Sequence, residues 1–427
     1  MIDFSGKRLW SLALALTVGL AASACAGKGS APSSRTSSSA FSAAALPPAA
    51  SASEPSCQSS AAPAQSQLNS VHTASLTVPA QPFGLVYART SHIAFAALKT
   101  ELGVLSTDST QPRLLRKIPL PAASVGKEGA TGVALTHDGR ELLVAAGNGA
   151  IVVDAAKAAA GTPGAVLGTL TGTAGTSAIE VTVSPDDHYA FVSQEYGDAR
   201  TGHRGDIEVF DLRKALRGGF GQSSLIGSLT LGQAVVGTAI SPNGRWLYAT
   251  SEVAPSQQPT AGGKHGELSV IDLATLEATP EKALRGSVLA GCNPVRVAPS
   301  PDGKTVWVTA RKSNALLAFD AAKLTTDPQH ALLTSVQVGT APVGLAFVRG
   351  GSRIITADTN RFHTPGATTG LTVVDTRAAL TGKPANLGRI QTGAFPREFA
   401  LSPDAKTLLV SDHDSNQIQA IDTTTLP

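Results

Sequence analysis

Between about residue 75 and the C-terminus the chain repeats one pattern: a polar turn, an alternating apolar strand, a polar loop and a second strand ending on aspartate. Ser300–Asp320 shows it whole. Ser300-Pro-Asp-Gly303 is a turn in which Pro presets φ, Asp bonds its own backbone and Gly accepts positive φ. Thr305–Thr309 alternates β-branched and aromatic residues, the chemistry of a half-buried strand. Arg311–Asn314 is a polar loop, and Leu316–Phe319 forms the second strand before Asp320. The phrase returns after Thr136, Ser184, Ser241 and Ser402, and in weaker form after Ala88 and Arg349. Its closing aspartates are Asp108, Asp154, Asp211, Asp272, Asp320, Asp375 and Asp422. Several precede D-x-x-x-L, which reads as the cap of a helical turn.

Two more strands precede each turn. In Ser335–Phe347 they are SVQV and VGLAF, joined by a Gly-x-x-Pro bend, with parallel bends at Gly291–Pro294, Gly393–Pro396 and Pro79–Pro82. Four antiparallel strands per roughly fifty residues match a propeller blade. The pattern therefore predicts an all-β, seven-bladed β-propeller. The last blade stops after its third strand, and residues 75–82 supply a fourth strand with no blade of their own. This N-terminal strand should complete the last blade and remove the open sheet edge. The second residue of each innermost strand is small or β-branched (Val86, Ala134, Thr182, Ala239, Ala298, Ala346, Ala400), as suits strands converging on an axis.

Residues 307–310 read WVTA and 248–251 read YATS, each after a Ser-Pro-x-Gly turn, and Ser313-Asn314 and Ser415-Asn416 fill the following loops of their own blades. On these motifs the chain, over residues 75–427, resembles the bacterial YVTN-repeat β-propellers. The resemblance implies the same fold, and relatives ranging from cell-surface and periplasmic binding proteins to proteins similar to lactone-hydrolysing propellers.

Residues 1–25 have the form of an export signal: Lys7 and Arg8, the apolar Leu9–Leu20, then Ala22-Ser-Ala-Cys25. The apolar run is short for a membrane span. Cys25 is placed as a lipidated residue, with Ala26 after it resembling outer-membrane sorting in a Gram-negative cell. The expected location is the cell envelope, attached to a membrane through this lipid alone. Residues 26–70, rich in Ala, Ser and Pro, cannot bury a core and are expected to be a disordered tether. The propeller domain is assigned to 71–427. With Cys25 lipidated, Cys57 and Cys292 remain in an oxidising compartment, and the sequence leaves open whether they pair or stay as thiols. The net charge of +3 is scattered, with no basic run interleaved with aromatics, so nothing indicates nucleic-acid binding. A monomer is expected, with no cofactor.

Candidate chemistry gathers on the face that carries the loops between second and third strands. Two residues before each small column position, four blades have Gly84, Gly132, Gly237 and Gly344. The other three have Glu180, Arg296 and Glu398. Charges converging on one axis call for partners or a ligand. Glu195, Glu252, Arg311 and His413 share an aligned position at the end of the second strand, with Asp358 beside it. Three long loops bring His203, Arg361, His363 and His265, and loops of this length on a short-turn scaffold often serve binding. Glu195, Glu252 and Asp358 could also form a metal site, though no metal is assigned.

Two functional readings follow. In the first the propeller is a non-enzymatic module holding a small molecule or an envelope protein on this face, with Glu195, Glu252, Asp358, His203, His265 and His363 as ligand-binding candidates. In the second it is a lactonase-like hydrolase with its site at the channel mouth. Glu398 or Glu180 would then be the base, Arg296 or Arg311 the oxyanion partner and His413 the proton shuttle. That reading expects Arg296→Ala to remove turnover and leave the fold intact.

Overall fold

In the computed structural model, residues 52–89, 92–255 and 264–427 are described, all within one compact unit. The expected export signal, Cys25, the first part of the expected tether and the tip of the loop after Glu252 lie outside them. The described chain forms seven four-stranded antiparallel sheets. Blade 1 runs from Pro82 to Pro119, blade 2 from Ala130 to Thr171, blade 3 from Ala178 to Thr230 and blade 4 from Gln233 to Cys292. Blades 5 and 6 span Pro294–Gln337 and Pro342–Ile390. Blade 7 takes Pro396–Leu401, Thr407–Asp412 and Gln417–Asp422 and is completed by Thr73–Thr77, with Thr73 opposite Ile421 and Thr77 opposite Gln417. The completing strand sits two residues earlier than the pattern suggested: Pro79 has no N–H to continue the ladder, and Val78 N makes the last bond, to Asn416 O at 2.8 Å. Each innermost strand packs on the next, and the strand at Pro82–Tyr87 meets the one at Pro396–Leu401, so the ring is closed.

The turns repeat one hydrogen-bond set. Ser300 Oγ donates to Asp302 Oδ1 (2.6 Å) and accepts from Thr305 N (3.0 Å), while Gly303 N donates to Ser300 O (2.8 Å). Ser184, Ser241 and Ser402 do the same with Asp186, Asn243 and Asp404. Six of the seven closing aspartates accept backbone N–H groups from the turn that follows: Asp154, Asp211, Asp272, Asp320, Asp375 and Asp422. Asp108 instead accepts from Ser106 Oγ.

Apolar faces of neighbouring blades meet to form the core. Trp307, wholly buried, donates from Nε1 to Thr305 Oγ1 (2.9 Å) and meets Phe347 of blade 6 edge-on at 6.4 Å.

Residues 52–70 follow a path that composition did not suggest. Gln67 bridges in parallel to Arg389 on the outer strand of blade 6. Ala62 N donates to Thr340 Oγ1, Asn314 Nδ2 to Ser60 O and Gln58 N to Lys312 O. Cys57 is joined to Cys292 by a disulfide. The expected tether boundary at residue 70 thus falls inside a segment that packs on blades 4 to 6. Hydrogen bonds from backbone and side chains, the Glu54–His265 pair and one covalent bond hold it, which is why a sequence poor in large apolar groups docks at all.

Candidate functional site

The site is built on a defect repeated in the innermost strands. Each loses ladder register near its start, between Ala178 and Glu180, Pro294 and Val297, or Pro396 and Phe399. A bulge re-aims side chains that regular alternation would send elsewhere. Glycine is the default there because the next blade lies against it. A Cβ on Gly132 would sit 2.8 Å from Glu180 Cα, and one on Gly344 would sit 1.9 Å from Arg397 O.

Glu180, Arg296 and Glu398 come together across the axis from blades 3, 5 and 7. Arg296 Nη2 lies 2.5 Å from Glu398 Oε1 and 3.3 Å from Glu180 Oε2; Nε donates to Glu398 Oε2 at 3.2 Å, and Nη1 donates to Val236 O. Burial pushes the Glu180 carboxyl up to about 7; Arg296 opposes that shift and Glu398 adds to it. This largely buried ion triad spans the axis. Beneath it a cavity of about 670 Å³, lined by Glu180, Thr182, Thr238 and Ser241–Gly244, faces the turns of the opposite side. Because Arg296 is the only cation bonded to both carboxylates among the described residues, Arg296→Ala would strand two buried acids. A loss of about 3–5 kcal/mol of stability is expected.

A second pair lies beside it. Arg311 Nη2 contacts Glu252 Oε2 at 2.6 Å, and Asn293 Nδ2 donates to the same oxygen at 3.1 Å. Glu195 is held above the usual carboxylate range, first by burial and then by Glu252. His413 sits between Phe83 and Phe395, with Nδ1 2.6 Å from Asp414; burial lowers its pKa, which favours the neutral ring.

The remaining candidates are elsewhere. Asp358 is buried inside blade 6, accepting from Thr356 Oγ1 (2.9 Å) and Thr372 Oγ1 (2.6 Å). His203 and His363 lie exposed on their loops. His265 Nδ1 meets Glu54 Oε1 at 2.7 Å beside the disulfide. Among the described residues, Glu195, Glu252 and Asp358 do not gather as metal ligands. The group close enough is Cys57, His265 and Cys292, whose ligand atoms fall within 4.8 Å of one another, and its two sulfurs are joined to each other.

No protein-family model matches the chain, and no curated protein matches it in sequence. Solved structures match widely, 1335 chains in all, so the shared shape carries no function with it. One chain of a mitotic checkpoint complex aligns at 15% identity with a TM-score of 0.60, over 82% of this chain and 90% of its own. A chain of Kuenenia stuttgartiensis hydrazine synthase aligns at 16% and 0.61, over 82% and 98%. At such identity the likeness shows the fold: a seven-bladed, WD40-like propeller.

Two arginines complete the site. Arg397, beside Glu398 in the bulge, lies 3.8 Å from the ring centre of Phe83 and 5.2 Å from that of Phe395. Its Nε is buried without a partner. Burial pushes its pKa down to about 9; Glu398 works against that, and Arg296, Arg361 and Arg311 add to it. Arg361 lies 5.9 Å from the same Phe395 ring. Sequence reading passed over Arg397 because strict alternation turns it away from the channel. The signal available was its adjacency to Glu398 in a strand whose register slips.

Proposed function

We propose that this protein is an exported, lipid-anchored propeller that binds a ligand or protein partner at the cell envelope. The observation that carries it is the commitment of Arg296. All three of its guanidinium nitrogens are engaged by Glu398, Glu180 and Val236, and Arg311 is paired with Glu252. Arg296 is thus not free to meet a developing oxyanion, which the hydrolase reading needs, and Arg311 keeps only its buried Nε without a partner. What stays open is a face with an uncommitted cation and exposed rings. The Cys57–Cys292 disulfide supports an oxidising compartment, and the WVTA and YATS tetrads support placement among the YVTN-repeat proteins.

Lactone hydrolysis remains the second reading because Glu180, pushed up to about 7, has the affinity of a base working near neutrality. The test is acid release from a lactone panel by the full chain, beside Glu180→Gln, which removes a charge without opening a cavity. No turnover is expected, and capture of a ligand or envelope protein by the intact chain is. Turnover abolished by Glu180→Gln would establish the hydrolase instead.

A further inference from the structure

The mouth has four arginines and four glutamates, but they are not evenly matched. Arg296 takes Glu398 and Glu180, and Arg311 takes Glu252. Arg361 and Arg397 are left facing Glu195, with no hydrogen bond from either guanidinium among the described residues. Both are instead gathered at Phe395, at 5.9 and 5.2 Å from its ring centre. Among the described residues neither has a carboxylate within ion-pair distance, the two repel each other, and the buried Nε of Arg397 lacks an acceptor, which is costly.

The rim is apolar in the same place. Phe362 is 46% exposed and Tyr196 52% exposed, and both stand on the long loops of this face. Phe362 lies 5.6 Å from Arg311 and 5.8 Å from Lys312. Exposed rings on the loop that carries Arg361 and on its neighbour across the mouth suit a molecule that is charged at one end and flat and apolar at the other.

We propose that Arg361 and Arg397 bind the carboxylate of a small organic acid whose apolar body rests on Phe362 and Tyr196. The inference rests on the binding reading and narrows it to one ligand class. A carboxylate gives both guanidiniums an acceptor that the protein withholds, and bidentate geometry suits it.

The test uses the full chain and ligand-observed NMR titration with benzoate, acetate and benzylamine as probes. Benzoate is expected to bind at least tenfold more tightly than acetate, and benzylamine to leave the benzoate signal unchanged. Arg361→Ala changes an exposed side chain and threatens no packing; it should weaken benzoate at least tenfold, as should Arg397→Gln. Undiminished benzoate affinity in Arg361→Ala overturns the proposal, as does an absent wild-type signal or benzylamine binding as well as benzoate. Acetate equal to benzoate overturns the apolar half. If this face instead captures a neutral ligand or an envelope protein, the inference falls and the binding reading stands. If the chain only turns over lactones, both fall.

Discussion

Asp358 holds its carboxyl almost without water, between two threonine hydroxyls and with Arg389 as a weaker influence. Burial pushes its pKa to about 7, and Asp412 and Asp206 reach the same value by the same cause. An acid whose folded pKa exceeds its unfolded value binds its proton more tightly in the folded chain. Its contribution is complete below about pH 4 and is lost as pH rises toward 7. The melting temperature should therefore fall between pH 5 and pH 7. Asp358→Asn should flatten that fall without abolishing it, as thermal unfolding across the range would show; an unchanged slope would mean the carboxyl is ionised in the fold. The same buried position sets Asp358, a ligand-binding candidate by sequence, inside the sheet. A carboxylate at the end of a strand looks like a site residue in sequence, and only the hydroxyls of Thr356 and Thr372 reveal it as an internal sheet contact. Glu180, Arg296 and Glu398 were legible because each breaks a glycine column. Their mutual pairing was one of two alternatives the sequence left open, because it depends on which blades face each other across the axis.

At the scale of the element, the innermost strand sets how closely blades approach. A Cβ on Gly344 would meet Arg397 O, a backbone atom that cannot swing aside. Gly344→Ala should thus cost about 1–3 kcal/mol by forcing the two strands apart. It should also weaken benzoate binding by moving Arg397, whereas Ala346→Gly, two residues along, should not. Urea unfolding and the NMR titration read these separately. Strands, turns and caps were largely visible in the sequence because their causes are local: Ser-Pro-Asp-Gly carries its own hydrogen bonds, and alternation marks the strand. Bulges are invisible to a period of two, since they suspend it. That suspension hid Arg397, and with it the rings of Phe83 and Phe395.

The whole molecule is held shut twice. Thr73–Thr77 completes blade 7, and Cys57–Cys292 fastens the segment before it across blades 4 to 6. The bridge spans 235 residues, so its effect on the unfolded chain is large, about 5 kcal/mol by loop-closure arguments. Cys57→Ser should lower the unfolding free energy by that order while leaving seven blades intact. Proteolysis should then cut between residues 52 and 70, where the wild type resists. Composition could not foresee this docking, because docking through hydrogen bonds leaves no apolar signature. The shared blade also orders events in time. A ribosome delivers Thr73 long before Ile421, the residue it must lie beside. Until the final strand emerges, the first has nothing to pair with, and six blades form an open arc with raw edges at both ends. Ring closure therefore waits on Gln417–Asp422, and a chain cut before Gln417 should be captured by chaperones or degraded rather than accumulate with an unclosed ring.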